Sequence, residues 1–564
     1  METMKEKLAG EIARVLKISV IAKDLSTPPK VEMGDFSWSC FVLAKERKQA
    51  VNEVAQELAQ TLNKTSGQSW QRVEAIGPYV NFYLDLGKWN HLVLTGDLNF
   101  PKTGKKLMIE FSQPNTHKEF HVGHLRTAFL GASLVNIFRT LGNEVVAANY
   151  IGDAGVHVAK CLWYVDKFNP ELIHEENESE AKFYGRMYSS AVKMIDEQPE
   201  LMAEVSAVQK KIESHDDHFY PLWQSSKAKS FDAFLNIYKR LDIKFDEWFW
   251  ESEEEVAGRE CLRDIMAKKS VSQIKESEGA IIADLREFGL EVLVLIKSDG
   301  NVLYGTKDLP LGKKKFDQFG VDKSIYVIDN RQSLYVKQIF KLLDLLGYEN
   351  KEKVHVSYDF VTLPDGAMAS RKGNVVALED FLDAVKSKVL EETVKRHSDW
   401  PEEKCSAISE KIALAAVKFF MLKYENNSVI VFDMVKATAI DGASGPYLMY
   451  CLARMNSLER KARWWTRWLP KDYLLLSSVE ERELIKHISQ FEEAIKTSAL
   501  KYQPSILCTF LLDLAQRFNG FYHAQPILKS ASKLQASRLA LVKKVKTVML
   551  QGLALLNIEG LDEM

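Results

Sequence analysis

Ser112-Gln-Pro-Asn-Thr-His-Lys-Glu-Phe-His-Val-Gly-His-Leu-Arg126 stands between two apolar runs, and its reading decides the fold. Ahead of it, Leu107 to Phe111 is apolar but for Glu110, which predicts a short strand. Behind it, Leu125 to Leu141 is apolar almost all round and stops at Gly142-Asn143, as a buried helix would. Val145 to Asn149 is a second strand-like run. Strand, turn, helix and strand make a βαβ unit, implying a parallel sheet with a ligand site at the carboxyl ends of its strands. His121 and His124 are three apart where the helix begins, so they share a face. N–H groups at a helix N-terminus attract phosphate. Imidazole N–H donors can then follow the charge that builds on α- and β-phosphates as pyrophosphate leaves. Gly123 puts no side chain between the two rings, so a flat base or ribose can approach the backbone. The rival Gly-x-Gly-x-x-Gly fingerprint of dinucleotide sites is absent from this turn.

Outward from this unit the chain changes character several times. Residues 1–95 mix amphipathic helix (Val51 to Leu62) with an alternating, strand-like Tyr79-Val-Asn-Phe-Tyr-Leu84, and Phe100-Pro-Lys-Thr-Gly-Lys-Lys106 reads as a linker. Residues from about 155 to 290 are charged and helical in pattern and interrupt the sheet. Strand and helix alternation returns with Val292 to Ile296, Ser324 to Ile328 and Val354 to Tyr358, and past about residue 430 only helical periodicity remains. At 564 residues the chain is too long for one core, since a domain takes roughly 150 residues. Its 46% apolar and 27% charged content is ordinary globular usage. No apolar run suggests a membrane span, and the charged start, Met1 to Lys7, lacks a signal peptide's apolar core. Six scattered cysteines argue against a disulfide framework or a thiolate zinc site, which fits a reducing, cytoplasmic setting and no resident metal. A net charge of −2 neither favours nor excludes a nucleic acid, because a local basic face suffices for binding. Lys313 to Lys315 and Arg460 to Arg467 are candidate faces, though each could equally be solvated surface.

The His-Val-Gly-His turn resembles the "HIGH" signature of class I aminoacyl-tRNA synthetases. Its longer form, with Pro114-Asn115, Lys118 and Leu125-Arg126, is similar to the arginyl branch. Met33-Gly-Asp-Phe36 and Ile76 to Phe82 resemble that branch's N-terminal domain, Asn149 to Gly155 its second-strand loop, and Phe231 to Ser252 its connective insertion. Ser444 to Tyr450 with Ala453-Arg454, then Phe518-Asn519 and Phe521 to His523, resemble its anticodon-binding bundle.

The resemblance implies an α/β protein in three parts. These are a tRNA-contacting α+β domain at residues 1–95, a Rossmann-type catalytic domain at 101–430 with a helical insertion at about 155–290, and an all-α anticodon-binding bundle at 431–564. It further implies ATP-dependent activation of L-arginine, then transfer to the 3′ end of tRNA(Arg), with Mg²⁺ on the phosphates. The form implied is a monomer without a membrane partner, which needs its tRNA bound before arginine is activated.

Candidate site residues follow. His121, His124 and Lys118 are catalytic candidates; Gly123, Gly152, Asp153, Met368, Arg371 and Lys372 join the two histidines around ATP. A guanidinium is planar, always charged and has five donors, so its pocket needs a carboxylate placed for a two-bond pairing. Tyr304 and Asp308, four apart at a strand-to-helix junction, can face one cavity. By resemblance Asp308 takes the guanidinium, and Ser112, Asn115, Tyr304 and Gln332 complete the arginine site. Tyr447 and Arg454 are the tRNA candidates in the bundle. Trp464, Trp465 and Trp468 could stack bases, but at least one is expected on a buried helix face.

The pattern departs from the family in two places. At Gly366 to Asn374 the second class I signature, KMSKS, is degenerate: Ala367 and Ser370 fall where lysines would stand, followed by Arg371 and Lys372. Lys118 is expected to restore part of that charge. Ala154 sits where a tryptophan is common. Two rival readings remain, a small nucleotidyltransferase with the same turn and an inactive, synthetase-derived RNA-binding regulator.

Overall fold

The apolar runs around the signature turn become neighbours in one parallel sheet. The computed structural model describes residues 4–65, 69–169, 173–175, 178–362 and 377–564. The sheet has five strands: β1 (Lys106–Glu110), β2 (Glu144–Ile151), β3 (Glu247–Trp250), β4 (Lys323–Asp329) and β5 (Glu352–Tyr358). Every pairing is parallel and the order is β3-β2-β1-β4-β5. The order reverses beside β1, so β1 and β4 diverge into different connections and open a crevice at their carboxyl ends, where doubly wound sheets bind ligands.

Helix α1 (Val122–Thr140) follows β1 and is buried on nearly every face, with Leu125, Phe129, Leu134 and Ile137 in the core. Burying each such side chain contributes about 1.5–3 kcal/mol, and that anchors the helix whose N-terminus forms the site. Arg126 is buried on the same helix, where its guanidinium donates to the carbonyls of Met421 and of Glu425, the latter at 2.8 Å. Met421 is in the last turn of the helix Glu402–Leu422 and Glu425 is just beyond its end, so Arg126 ties the signature helix to the segment that closes this helix.

Two strands depart from the sequence reading. Glu247–Trp250 lies inside the stretch expected to be helical, yet it is the edge strand β3. Val292–Ile296 is a strand as expected, but it belongs to a separate antiparallel sheet with Ile274–Ser277 and Ala280–Asp284. The rest of the interval is mainly helical and includes α2 (Phe219–Arg240) and α3 (Glu251–Lys268); α4 (Tyr304–Asp317) then leads into β4.

Before the parallel sheet, Leu25–Ser26, Phe36–Ser39, Trp70–Ile76 and Tyr79–Leu84 form a four-stranded antiparallel sheet against the helix Val51–Asn63. After it, helices dominate from Met434 onward, beginning with a short one and then α5 (Gly445–Lys461). The expected burial among the tryptophans is not met. Trp464 and Trp468, on a 3₁₀ turn, are 74% and 83% exposed, and Trp465 is only half-buried beside Arg463. The basic run Lys313 to Lys315 is not a free face either: Lys315 is buried against Glu110 at 2.6 Å, and Lys314 pairs with Glu254. All six cysteines are free, five of them buried. Among the described residues no helix is long and apolar enough to cross a membrane.

Candidate active site

Two cavities open at the carboxyl ends of β1 and β4. The first, of about 550 Å³, is lined by Ser112, His121, Gly123 and His124 from the signature turn and by Asp329 and Arg331 from the end of β4. His121 is the residue before α1, and its Nδ1 accepts the N–H of Gly123 at 3.2 Å. His124 Nδ1 accepts the N–H of His121 at 3.0 Å, and the ring centroids are 3.9 Å apart. Burial pushes His121 down to about 4 and His124 well below its usual value, each with help from a neighbouring positive charge. Both rings are therefore neutral at pH 7. With Nδ1 engaged as an acceptor, the single proton sits on Nε2, which leaves two N–H donors at the mouth of a helix. A Cβ on Gly123 would stand 2.9 Å from the His121 ring and push it from this place, so glycine lets the pair stand as it does.

The second cavity, of about 470 Å³, is lined by Glu110, Tyr150, Glu251, Tyr304, Asp308 and Tyr335, among others. Three carboxyl groups face one space, which is costly unless cations match them. Glu110 pairs with Lys315 at 2.6 Å, and Glu251 pairs with Lys307 at 3.1 Å. Among the described residues Asp308 forms no ion pair; it accepts a short hydrogen bond from the Tyr335 hydroxyl. Burial first, then the nearby Glu110 and Glu251, push its carboxyl up to about 7 against the lowering effect of Tyr335 and Lys315. The cavity is thus short of one cation. Tyr304, the first residue of α4, is 66% exposed and stands at the rim.

Asn115 and Gln332 lie on the wall that both cavities share. Asn115 is held by a bridge to Gly152: the Gly152 N–H donates to Pro114 C=O at 3.0 Å, and the Thr116 N–H donates to Gly152 C=O at 2.9 Å. Any side chain at Gly152 would collide with Asn115 Oδ1.

Several expected site residues fall elsewhere. Ser112 lines the first cavity, not the second, with its hydroxyl 2.7 Å from Tyr238 Oη. Gly152 lines the second cavity, not the first. Asp153 reaches neither, because its buried carboxylate accepts the Ser252 N–H at 2.9 Å and pairs with Lys227 at 2.5 Å. Lys118 is on neither wall; its ammonium lies 5.1 Å from the Tyr188 ring centroid, and its charge helps to depress His121. Met368, Arg371 and Lys372 lie outside the described residues. Tyr447 and Arg454 meet on α5 through Asn519, which Arg454 approaches at 2.6 Å and which donates to Tyr447 Oη at 2.9 Å. Glu251 was missed in the sequence. It is one of four acids in Glu251-Ser-Glu-Glu-Glu255, which reads as helix N-terminal charge. Ala154, Trp223 and Trp250 line a third cavity of about 820 Å³.

Comparison with known proteins gives three family matches in chain order. Residues 2–84 match the arginyl tRNA synthetase N terminal domain, 91–434 the class I (R) tRNA synthetase catalytic domain, and 448–564 the DALR anticodon binding domain. The arginine–tRNA ligase of Bdellovibrio bacteriovorus is 38% identical, covering 96% of this chain and 94% of its own. That of Clostridium beijerinckii is 33% identical, covering 99% and 100%. The solved Thermus thermophilus arginyl-tRNA synthetase superposes over the full length of both chains, with a TM-score of 0.85 and 26% identity.

Proposed function

The chain belongs to the arginyl-tRNA synthetases, class I ligases that join arginine to tRNA at the expense of ATP, and from that premise we propose how its side chains divide the reaction. One observation carries the proposal: the cavity of neutral imidazole donors and the cavity short of one cation share a wall at Asn115 and Gln332.

Arginine enters the second cavity side chain first. Asp308 takes the guanidinium as a two-bond partner, and Glu251, already half-neutralised by Lys307, adds a second acceptor. Tyr304 closes over the rim, while Asn115 and Gln332 hold the amino-acid end at the shared wall. The triphosphate lies in the first cavity against His121, Gly123 and His124, where Nε2–H donors and the α1 dipole receive it. The arginine carboxylate then attacks the α-phosphorus in line, a C–O–P anhydride forms, and pyrophosphate leaves. The ribose hydroxyl at the tRNA 3′ end next attacks the carbonyl and releases AMP. Positioning and electrostatics carry both steps without a protein nucleophile.

Among the described residues no cluster of three or more His, Cys, Asp or Glu side chains could hold a metal ion. Mg²⁺ would be carried on the ATP phosphates and would neutralise their charge. Lys118 can swing from Tyr188 toward the same phosphates, and Arg371 and Lys372 are assigned to ATP with it. Gly152 keeps Asn115 in place, and Asp153 braces the loop through Ser252. The part from Met434 onward takes the anticodon near Tyr447 and Arg454, and the part before residue 95 contacts the tRNA body. Residues 1–95, 101–430 and 431–564 act as three domains. The free, mostly buried thiols support a cytoplasmic setting, and we assign a monomer.

The test is arginine-dependent exchange of pyrophosphate into ATP, with and without cognate tRNA(Arg). Exchange that requires both arginine and tRNA is expected. Exchange that stays absent even with arginine and tRNA(Arg) both present contradicts the proposal.

A further inference from the structure

The loop between β1 and α1 holds three non-glycine residues in the left-handed region: Ser112 (φ 80°), Gln113 (φ 44°) and His117 (φ 61°). Such residues persist only where their surroundings over-determine them. For Ser112 and Gln113 the surroundings are Thr127 and Asn149, each accepting a backbone N–H at 3.1 Å. For His117 they are two serines of α2. Ser230 Oγ accepts its backbone N–H at 3.4 Å, and Ser226 Oγ lies 2.8 Å from its Nε2.

The direction of these bonds can be worked out. Ser226 Oγ gives its proton to the Trp223 carbonyl at 3.0 Å, so toward His117 it can only accept, and Nε2 carries the hydrogen. Nδ1 is then an acceptor, and of the two acceptors within reach of the Thr116 hydroxyl, Nδ1 at 2.9 Å and the Gly152 carbonyl at 3.2 Å, the nearer Nδ1 takes its proton, since Gly152 C=O already receives the Thr116 backbone N–H. The Thr116 backbone N–H in turn holds Gly152, which bridges to Asn115. Thr116, His117, Ser226 and Ser230 are all buried, so no water can replace a lost partner. Burial also holds the ring neutral, down to about 3, and the pattern therefore survives across physiological pH.

We infer that His117 is a positioning residue: its imidazole clamps the loop that bears Asn115 to helix α2 and so sets how well the arginine cavity is formed. The inference rests on the assignment of Asn115 as an arginine contact. Movement of α2 is passed to Asn115 through Ser226, His117, Thr116 and Gly152, which makes arginine affinity dependent on an element outside both cavities. His117 touches neither substrate, and it acts only through Asn115.

The test compares His117→Ala, His117→Gln, Ser226→Ala and the double variant His117→Ala/Ser226→Ala in tRNA-supported pyrophosphate exchange, with melting temperatures alongside. His117→Ala and Ser226→Ala should each raise KM for arginine about tenfold, the scale of one lost buried hydrogen bond, and leave kcat within about threefold. The double variant should be no worse than the single ones, because both remove the same clamp. His117→Gln keeps a donor toward Ser226 and should recover most of the affinity. Ser226→Ala removes one hydroxyl and keeps the fold testable. If both single variants lower the melting temperature but leave arginine KM within about twofold of the parent, the clamp is merely structural and the inference is overturned. An Asn115→Ala control separates the two ideas: unchanged KM in that variant, beside raised KM in the clamp variants, would instead overturn the role given to Asn115.

Discussion

The pH dependence of arginine binding follows from one carboxyl group. Asp308 is pushed up to about 7, chiefly by burial, in a cavity that leaves it without an ion-pair partner among the described residues. Only its ionised form can pair with a guanidinium, which itself stays charged throughout. The apparent KM for arginine then scales as one plus the ratio of protonated to ionised Asp308, roughly 11 at pH 6, 2 at pH 7 and 1.1 at pH 8. The sign is fixed: raising pH through 7 ionises the acid and tightens binding, about tenfold from pH 6 to pH 8. The imidazoles do not confuse this window, because burial lowers His121 to about 4 and His124 well below its usual value. The assay is tRNA-supported pyrophosphate exchange at saturating ATP, with arginine KM taken at each pH. Asp308→Asn is the control. It keeps the shape but removes the charge, and truncating a buried charge partner costs about 2–5 kcal/mol, so KM should rise by at least some thirtyfold and lose its pH slope. A flat profile in the parent, or a slope that survives in Asp308→Asn, would refute the reasoning.

Other consequences are open to measurement in the same exchange assay. His124→Ala removes the Nε2–H donor proposed to receive the phosphates; kcat should fall by about 10²–10³ while arginine KM stays within about threefold. Gly152→Ala forces a methyl onto Asn115 Oδ1, so arginine KM should rise by about tenfold or more, with the circular dichroism spectrum unchanged. Glu251→Gln leaves Lys307 its partner Glu255 at 2.8 Å, so the protein should fold, but arginine KM should increase by about tenfold. Lys118→Ala should depress exchange more than Lys372→Ala does, and near-equal rates in the parent and Lys118→Ala would remove Lys118 from the phosphate site.

What the sequence disclosed depended on how local the chemistry is. The histidine pair is legible because helix start, imidazole spacing and the glycine between them sit within four residues. The central strands are legible because Leu107 to Phe111, Val145 to Asn149 and Ser324 to Ile328 are compact apolar runs next to turn residues. The same rule misplaces Val292 to Ile296: a short apolar run shows that a strand forms but not which sheet takes it, and here only Leu295 is buried. β3 is only four residues long and directly precedes α3, so its tryptophans look like part of a helical stretch. Glu251 became visible only once β3 lay beside β2 and carried it into the cavity that Asp308 also lines. Asp153 looks like a ligand-binding loop acid, yet tertiary packing turns it to Ser252 and Lys227. The role of His117 depends on α2, more than a hundred residues downstream, and no spacing along the chain could show it.

The division of the two substrates between the two cavities is tested most directly by a crystal structure with arginine and a non-hydrolysable ATP analogue bound together. The account predicts the guanidinium within hydrogen-bond reach of Asp308 and Glu251, the phosphates against Nε2 of His121 and His124, and the arginine carboxylate beside the α-phosphorus at Asn115. A guanidinium lodged away from Asp308, or a triphosphate that leaves both imidazoles untouched, would contradict it.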